Sequence, residues 1–258
     1  MKDIFLTSSN NSAPLVIAHR GYSQIAPENS FAAFKKAIEI NVDMIEFDVR
    51  LSSDDAFVVI HDKNLLRTAN INSNVNKLNS DIIKQLNCGN WFGKNFANEK
   101  IPLLSEVLKI ASKKTFLNIE IKPDAKSDAG LISELFINSI KNFKNKNYIF
   151  ITSFNHKIIS EIKKLDQTLK TGVLFNSLTD FRFSPSKLCA RSNADVFICN
   201  KLQVNKDVVI DAHKSEIPIF VYGVYTETDV KRLINLNVDG LIADDPRMVK
   251  SAIAKFHK

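Results

Sequence analysis

Met44-Ile45-Glu46-Phe47-Asp48-Val49, the turn Ser52-Ser53-Asp54-Asp55 and the run Phe57-Val58-Val59-Ile60-His61-Asp62 decide the fold. In the first run the side chains alternate, so Ile45, Phe47 and Val49 share one face while Glu46 and Asp48 share the other. A parallel crossover needs on the order of a dozen residues, and only a short polar turn separates the two runs. They must therefore pair as an antiparallel hairpin. Reversal near Asp54 carries His61 back to the level of Glu46 and Asp48.

Outward from this hairpin, apolar β-type runs at 15–18, 44–49, 115–121, 148–152, 171–175, 196–199, 217–222 and 240–243 alternate with helix-period stretches. Those stretches fall at 31–40, 104–112, 129–141, 156–165, 206–214 and 227–236, with Asn29 or Ser30 as N-cap of the first. Such alternation predicts a parallel sheet, and eight strands predict a closed TIM-type (β/α)8 barrel of the α/β class. The run at 57–60 stays outside the barrel count. A chain of 258 residues suits one such domain, spanning 1–258. Residues 64–100 are rich in Asn and Lys and carry Gly89-Asn90-Trp91-Phe92-Gly93 and Phe96. They are too long for a plain loop and read as a small insertion subdomain over the barrel mouth, with most of Trp91, Phe92 and Phe96 as its miniature core and one reaching toward the substrate.

The formal net charge of +7 suits an anionic substrate or surface. The lysines are scattered (Lys35-Lys36, Lys113-Lys114, Lys163-Lys164) rather than interleaved with aromatics, which argues against nucleic acid. Cys88, Cys189 and Cys199 form no CxxC pair and read as reduced thiols. The start Met1-Lys2-Asp3-Ile4-Phe5-Leu6 turns polar too soon for a signal-peptide core, and no apolar run reaches membrane-spanning length. The expectation is a soluble, cytoplasmic protein without stable membrane insertion.

The chemistry lies at the strand ends, where barrel enzymes carry it. His19, Glu46, Asp48 and Glu120 all end predicted strands, and the hairpin adds His61. Three carboxylates converging on one point repel each other, and a divalent cation removes that conflict. All-oxygen ligation favours Mg²⁺ or Ca²⁺ over zinc. Pairing with Lys122 and Arg20 alone would neutralise only part of the charge. Two histidines beside such a centre can supply the acid and the base for displacement at phosphorus, in either assignment. Arg20 offers a forked donor to phosphate oxygens, and Lys122 a further positive charge. Glu28 and Asn29 read as braces of the loop after His19, Asp62 as an orienting group, and His156 and His213 as surface residues. Asp244 reads equally as a partner of a site group and as a turn residue before Pro246.

The segments Ala18-His19-Arg20-Gly21, Pro27-Glu28-Asn29-Ser30, Glu46-Phe47-Asp48, His61-Asp62 and Glu120-Ile121-Lys122 together resemble the glycerophosphodiester phosphodiesterase family. The similarity runs through Arg67-Thr68, Ile101-Pro102-Leu103-Leu104, Ser153-Phe154 and Val238-Asp239-Gly240 in the same order. It implies a TIM-type barrel that hydrolyses glycerophosphodiesters, small soluble molecules, to glycerol 3-phosphate and an alcohol with a divalent metal. By position His19 and His61 match the acid/base pair, Glu46, Asp48 and Glu120 the metal ligands, and Arg20 and Lys122 the phosphate contacts. The chain departs from the family at Tyr222-Gly223-Val224-Tyr225 and Ala243-Asp244-Asp245-Pro246, positions that shape the substrate pocket. A phospholipase D-type enzyme acting on lysophospholipids and a non-catalytic phosphate-binding barrel are the competing readings.

Overall fold

The computed structural model of the chain describes residues 13–110, 115–124 and 128–256. The N-terminal Met1–Leu6 run, Lys113-Lys114 and the end of the helix expected to reach residue 112 lie outside them. Nine strands are present among the described residues: β1 (Leu15–His19), β2 (Met44–Leu51), β3 (Phe57–Val59), β4 (Phe116–Ile121), β5 (Ile149–Ser153), β6 (Lys170–Leu174), β7 (Val196–Asn200), β8 (Ile219–Tyr222) and β9 (Gly240–Ala243). They run in the order β1-β9-β8-β7-β6-β5-β4-β2-β3, and β1 also pairs with β2. That extra pairing closes eight parallel strands into a barrel, with β3 antiparallel on β2 as the hairpin predicts.

Register builds the site. On the inward face, Ile17 lies opposite Met44 and His19 opposite Glu46 across β1 and β2. Across β2 and β4, Glu46 lies opposite Asn118 and Asp48 opposite Glu120. Period-two alternation thus fills the lower interior with apolar side chains and leaves the upper interior polar. The lower plug includes Ile17, Met44, Phe150, Ile198, Phe220 and Ile242. Its centre is the edge-on pair Phe150 and Phe220, with ring centroids 5.8 Å apart. Glycines admit these rings, because a Cβ on Gly172 would fall 2.7 Å from Phe150 and one on Gly240 2.6 Å from Phe220.

Outside the barrel, Phe31–Glu39, Ala129–Ile140, His156–Leu165, Lys206–Lys214 and Glu227–Asn235 form helices where the apolar period places them. Ser30, not Asn29, caps the first by accepting a bond from the Ala33 amide. The stretch from 104 is shorter than predicted, an α-turn Leu104–Val107 followed by a 3-10 turn. Two further helices, Pro185–Ser192 and Pro246–Phe256, open on prolines. Proline punctuates a sequence reading, yet in a first turn it starts a helix at no cost in hydrogen bonds.

Between β3 and β4 lie short turns at Leu66–Ala69, Val75–Lys77, Ser80–Ile83 and Lys94–Phe96. Their buried centre is aliphatic: Leu65, Val75, Ile83, Cys88 and Ile101 pack on Val58 and Ile60 of the hairpin arm. Trp91, Phe92 and Phe96 stack edge-to-face outside it, with Trp91 exposed, so they are not the miniature core the composition suggested. The hairpin turn is tied to this region by Asp54, which accepts bonds from the Ser80 amide and hydroxyl.

His213 and His156 are helical, as expected, but neither is a free surface residue. His156 Nε2 lies 3.0 Å from the Leu174 carbonyl. His213 Nε2 lies 2.8 Å from Asp239 Oδ2, which also accepts the Ile219 amide. The bond to Asp239 outweighs partial burial and raises the His213 pKa above its ordinary value. Its contribution to stability is therefore complete below the unfolded pKa and is lost as pH rises through the higher folded one. His213→Gln should lower the urea midpoint more at about pH 5.5 than at about pH 9. An equal or larger gap at the alkaline pH would contradict this assignment.

Candidate active site

The loop after β1 turns sharply. Arg20 adopts left-handed backbone (φ 54°) and Gly21 follows at φ 82°. A side chain on Gly21 would meet the Ala33 backbone at 2.7 Å. Left-handed backbone at a non-glycine residue costs about 1–3 kcal/mol. Two bonds hold it: the Arg20 amide donates to Glu46 Oε2 at 3.0 Å, and its carbonyl accepts the Asn29 amide at 3.0 Å. The strained turn therefore swings the Arg20 guanidinium back between two carboxylates. Nη1 donates to Glu28 at 3.0 Å, and Nε lies 3.2 Å from Asp48 Oδ2.

Glu46, Asp48 and Glu120 are all buried, and an oxygen from each lies within 4.8 Å of the others. Asn29 fixes the middle one: its Nδ2 donates to Asp48 Oδ2 at 2.9 Å, and its Oδ1 accepts the Asp48 amide at 3.2 Å. Lys122 donates to Glu120 and lies 3.2 Å from Asp48 Oδ1. Burial and the charge of Asp48 push the Glu46 carboxyl well above its usual range. Burial and the same neighbour raise Glu120, against the pull of Lys122. Asp48 goes the other way, because Lys122 and Arg20 more than offset its burial.

This cluster fits a divalent cation. Asp48 Oδ1 is buried and receives no hydrogen bond, Lys122 notwithstanding. A buried carboxylate oxygen without a donor is the unmet acceptor that a hard cation satisfies. Arg20 is shared with Glu28, so Arg20 and Lys122 would not balance the charge of all three carboxylates in their ionised form.

The histidines flank the cluster. His19 Nε2 lies 3.9 Å from Glu46, and its Nδ1 lies 2.6 Å from Asp244 Oδ1. Burial opposes protonation of His19, but Asp244 and Glu46 prevail and raise its pKa. His61 is delivered by the hairpin: the Ile60 amide bonds the Asp48 carbonyl at 3.0 Å, and Arg50 Nε holds the His61 carbonyl at 2.7 Å. Its Nδ1 lies 2.7 Å from Asp62 Oδ1. Burial lowers the His61 pKa, reinforced by Lys122 and Arg20. Each ring thus has one nitrogen occupied by a carboxylate.

All seven residues singled out in the sequence converge: His19, Arg20, Glu46, His61, Glu120 and Lys122 line one cavity of about 310 Å³, and Asp48 lies beneath them. Asn118, Thr152, Leu174, Asn200, Tyr222 and Ile242 complete its inner wall, and Phe154 and Tyr225 stand on the strand-end loops at its rim. Asp244 is a partner of His19, resolving the even choice left by the sequence. Arg67 was not singled out for a role. Its Nε donates to Asp62 at 2.6 Å and its two terminal nitrogens to Glu28 at 2.8 and 2.7 Å, beneath the Trp91 ring 5.7 Å away. One guanidinium from the segment between β3 and β4 therefore grips both the carboxylate behind His61 and the one behind Arg20. The Arg67-Thr68 match in the resemblance was the available signal.

Comparison with known proteins agrees with this geometry. A glycerophosphodiester phosphodiesterase of Caldanaerobacter subterraneus is 37% identical over 243 residues, covering 93% of this chain and 98% of the relative. A phosphodiesterase of Oleispira antarctica, solved in complex with the product sn-glycerol-3-phosphate, superposes with a TM-score of 0.84 at 26% identity, over 93% of this chain and 97% of its own. A glycerophosphodiester phosphodiesterase of Agrobacterium tumefaciens gives a TM-score of 0.78 at 26% identity, over 93% and 100%. The family model described as glycerophosphoryl diester phosphodiesterase matches residues 19–248. The chain belongs to this family of phosphodiester hydrolases.

Proposed function

We propose that the chain hydrolyses small glycerophosphodiesters to glycerol 3-phosphate and an alcohol, with a divalent cation, Mg²⁺ or Ca²⁺, held by Glu46, Asp48 and Glu120. The observation that carries this reading is the register that sets His19 against Glu46 and Asp48 against Glu120 around one cavity. The product held by the Oleispira relative supports the substrate class. When bound, the cation supplies charge compensation and polarises a phosphoryl oxygen. Arg20 and Lys122 orient the phosphate through charge-assisted bonds. His19 and His61 move the protons, one taking a proton from the attacking oxygen and the other giving one to the leaving alcohol. Asp244 and Asp62 fix which ring nitrogen faces the substrate. A reducing, cytoplasmic setting is part of the proposal, supported by three buried free cysteines whose thiols burial pushes up to about 12.

Three outcomes are expected in an assay coupled to glycerol 3-phosphate release. His19→Ala and His61→Ala should each lower kcat by roughly two to four decades while circular dichroism stays unchanged. Near-normal turnover in either would remove that residue from proton transfer. Chelator treatment should abolish hydrolysis of glycerophosphocholine, and added Mg²⁺ or Ca²⁺ should restore it. Substantial turnover by the metal-stripped enzyme would sink the cation. Arg67→Ala should cost about 10–100-fold in kcat, as loss of an outer-shell partner does. Arg67→Lys should fail to rescue it, since an ammonium cannot fork between two carboxylates; full activity of Arg67→Ala would make the grip structural only. Preference for long-chain lysophospholipid over glycerophosphocholine would replace the substrate assignment.

A further inference from the structure

The most exposed apolar side chains of the described residues are not scattered. Leu178 (85% exposed) and Phe181 (63%) stand on the loop after β6, Leu202 (86%) on the loop after β7, and Tyr225 (65%) on the loop after β8. These strands are neighbours in the barrel. The loops that follow them lie on the face where the candidate active site opens. The adjacency is direct: Tyr225 lines the active-site cavity, and Thr179 beside Leu178 lines a groove that shares Glu120, Lys122 and Phe154 with it. Single exposed leucines need no explanation, but apolar tips on three successive loops around one mouth do.

Their charge environment selects the partner. In the three loops, 175–184, 201–205 and 223–226, the cations are Arg182 and Lys201 and the one carboxylate is Asp180. Asp180 is buried and accepts the Asn176 amide at 2.8 Å, so it faces the protein. Arg182 lies over the Phe181 ring at 5.1 Å and Lys201 over the Tyr225 ring at 4.7 Å, with Asp229 pairing Lys201 at 2.7 Å. Each aromatic tip thus carries a cation on its ring; Lys201 is neutralised by Asp229, which leaves the Arg182 charge at the rim of a chain of net charge +7. An anionic bilayer complements both features, since it accepts apolar tips below its headgroups and cations at them.

We propose that the rim formed by Leu178, Phe181, Leu202 and Tyr225 docks the barrel peripherally on an anionic lipid surface, with the active-site mouth toward the membrane. Binding is set by the tips and by the charge, independently of hydrolysis. The test is sedimentation with sucrose-loaded vesicles of phosphatidylcholine alone or mixed with phosphatidylglycerol, using the full chain. Wild type should bind the mixed vesicles and release as salt rises. Leu178→Ser/Leu202→Ser should weaken partitioning by roughly tenfold or more, while hydrolysis of soluble glycerophosphocholine stays at the wild-type rate. Absence of wild-type binding, or equal binding by the double variant, would overturn the proposal. So would a concentration-dependent dimer in light scattering that the double variant abolishes, because the rim would then belong to a second copy. Loss of soluble hydrolysis in the wild type would count against the function proposed above and leave the vesicle result standing.

Discussion

Three carboxylates buried within 4.8 Å of one another are the constraint on which the rest of the structure depends. Carboxylates so close in a water-poor interior cannot all ionise unaided. The fold responds from every side. Lys122 and Arg20 are drawn in against Asp48, Asn29 spends both ends of its amide on the same residue, and Arg20 accepts left-handed backbone to reach its place. What these groups do not neutralise is the charge a divalent cation would take up.

Around that centre the architecture serves positioning. Parallel register delivers Glu46, Asp48 and Glu120 from adjacent strands, and the apolar plug of Phe150 and Phe220 beneath them keeps the lower barrel filled. The hairpin β2–β3 brings His61 from the other side, fastened by the Asp48 carbonyl and Arg50. The segment between β3 and β4 takes part in this arrangement. Through Arg67 it holds Asp62 and Glu28, so the two elements that place His61 and Arg20 share one anchor.

What could be read from the sequence follows from the range of the interactions. Strand alternation and the short turn after Val49 are local, and they were enough to predict the barrel, the hairpin and the seven convergent residues. The missing parts are long-range or ambiguous in one dimension. Asp244 meets His19 across 225 positions, and nothing local to either residue selects the pair. Arg67 and Arg50 gain their partners only when the fold sets a carboxylate or a carbonyl against them. Asn29 reads as a helix cap because the strand it braces is distant in sequence. The helices that open on Pro185 and Pro246 are absent from the predicted helix-period stretches, although the first turn of a helix tolerates proline. Trp91, Phe92 and Phe96 read mostly as core because aromatics bury area, yet a set of aliphatic side chains with Cys88 fills the centre of the β3–β4 segment instead.

The most direct test of the charge account measures stability rather than turnover. Thermal unfolding of metal-stripped protein should shift upward on adding Mg²⁺ or Ca²⁺, because a cation bound only by the native cluster stabilises the folded state. The shift should vanish in Glu46→Gln, whose neutral side chain relieves the repulsion and removes a ligand. An unchanged unfolding temperature at saturating cation, or an equal shift in Glu46→Gln, would contradict it.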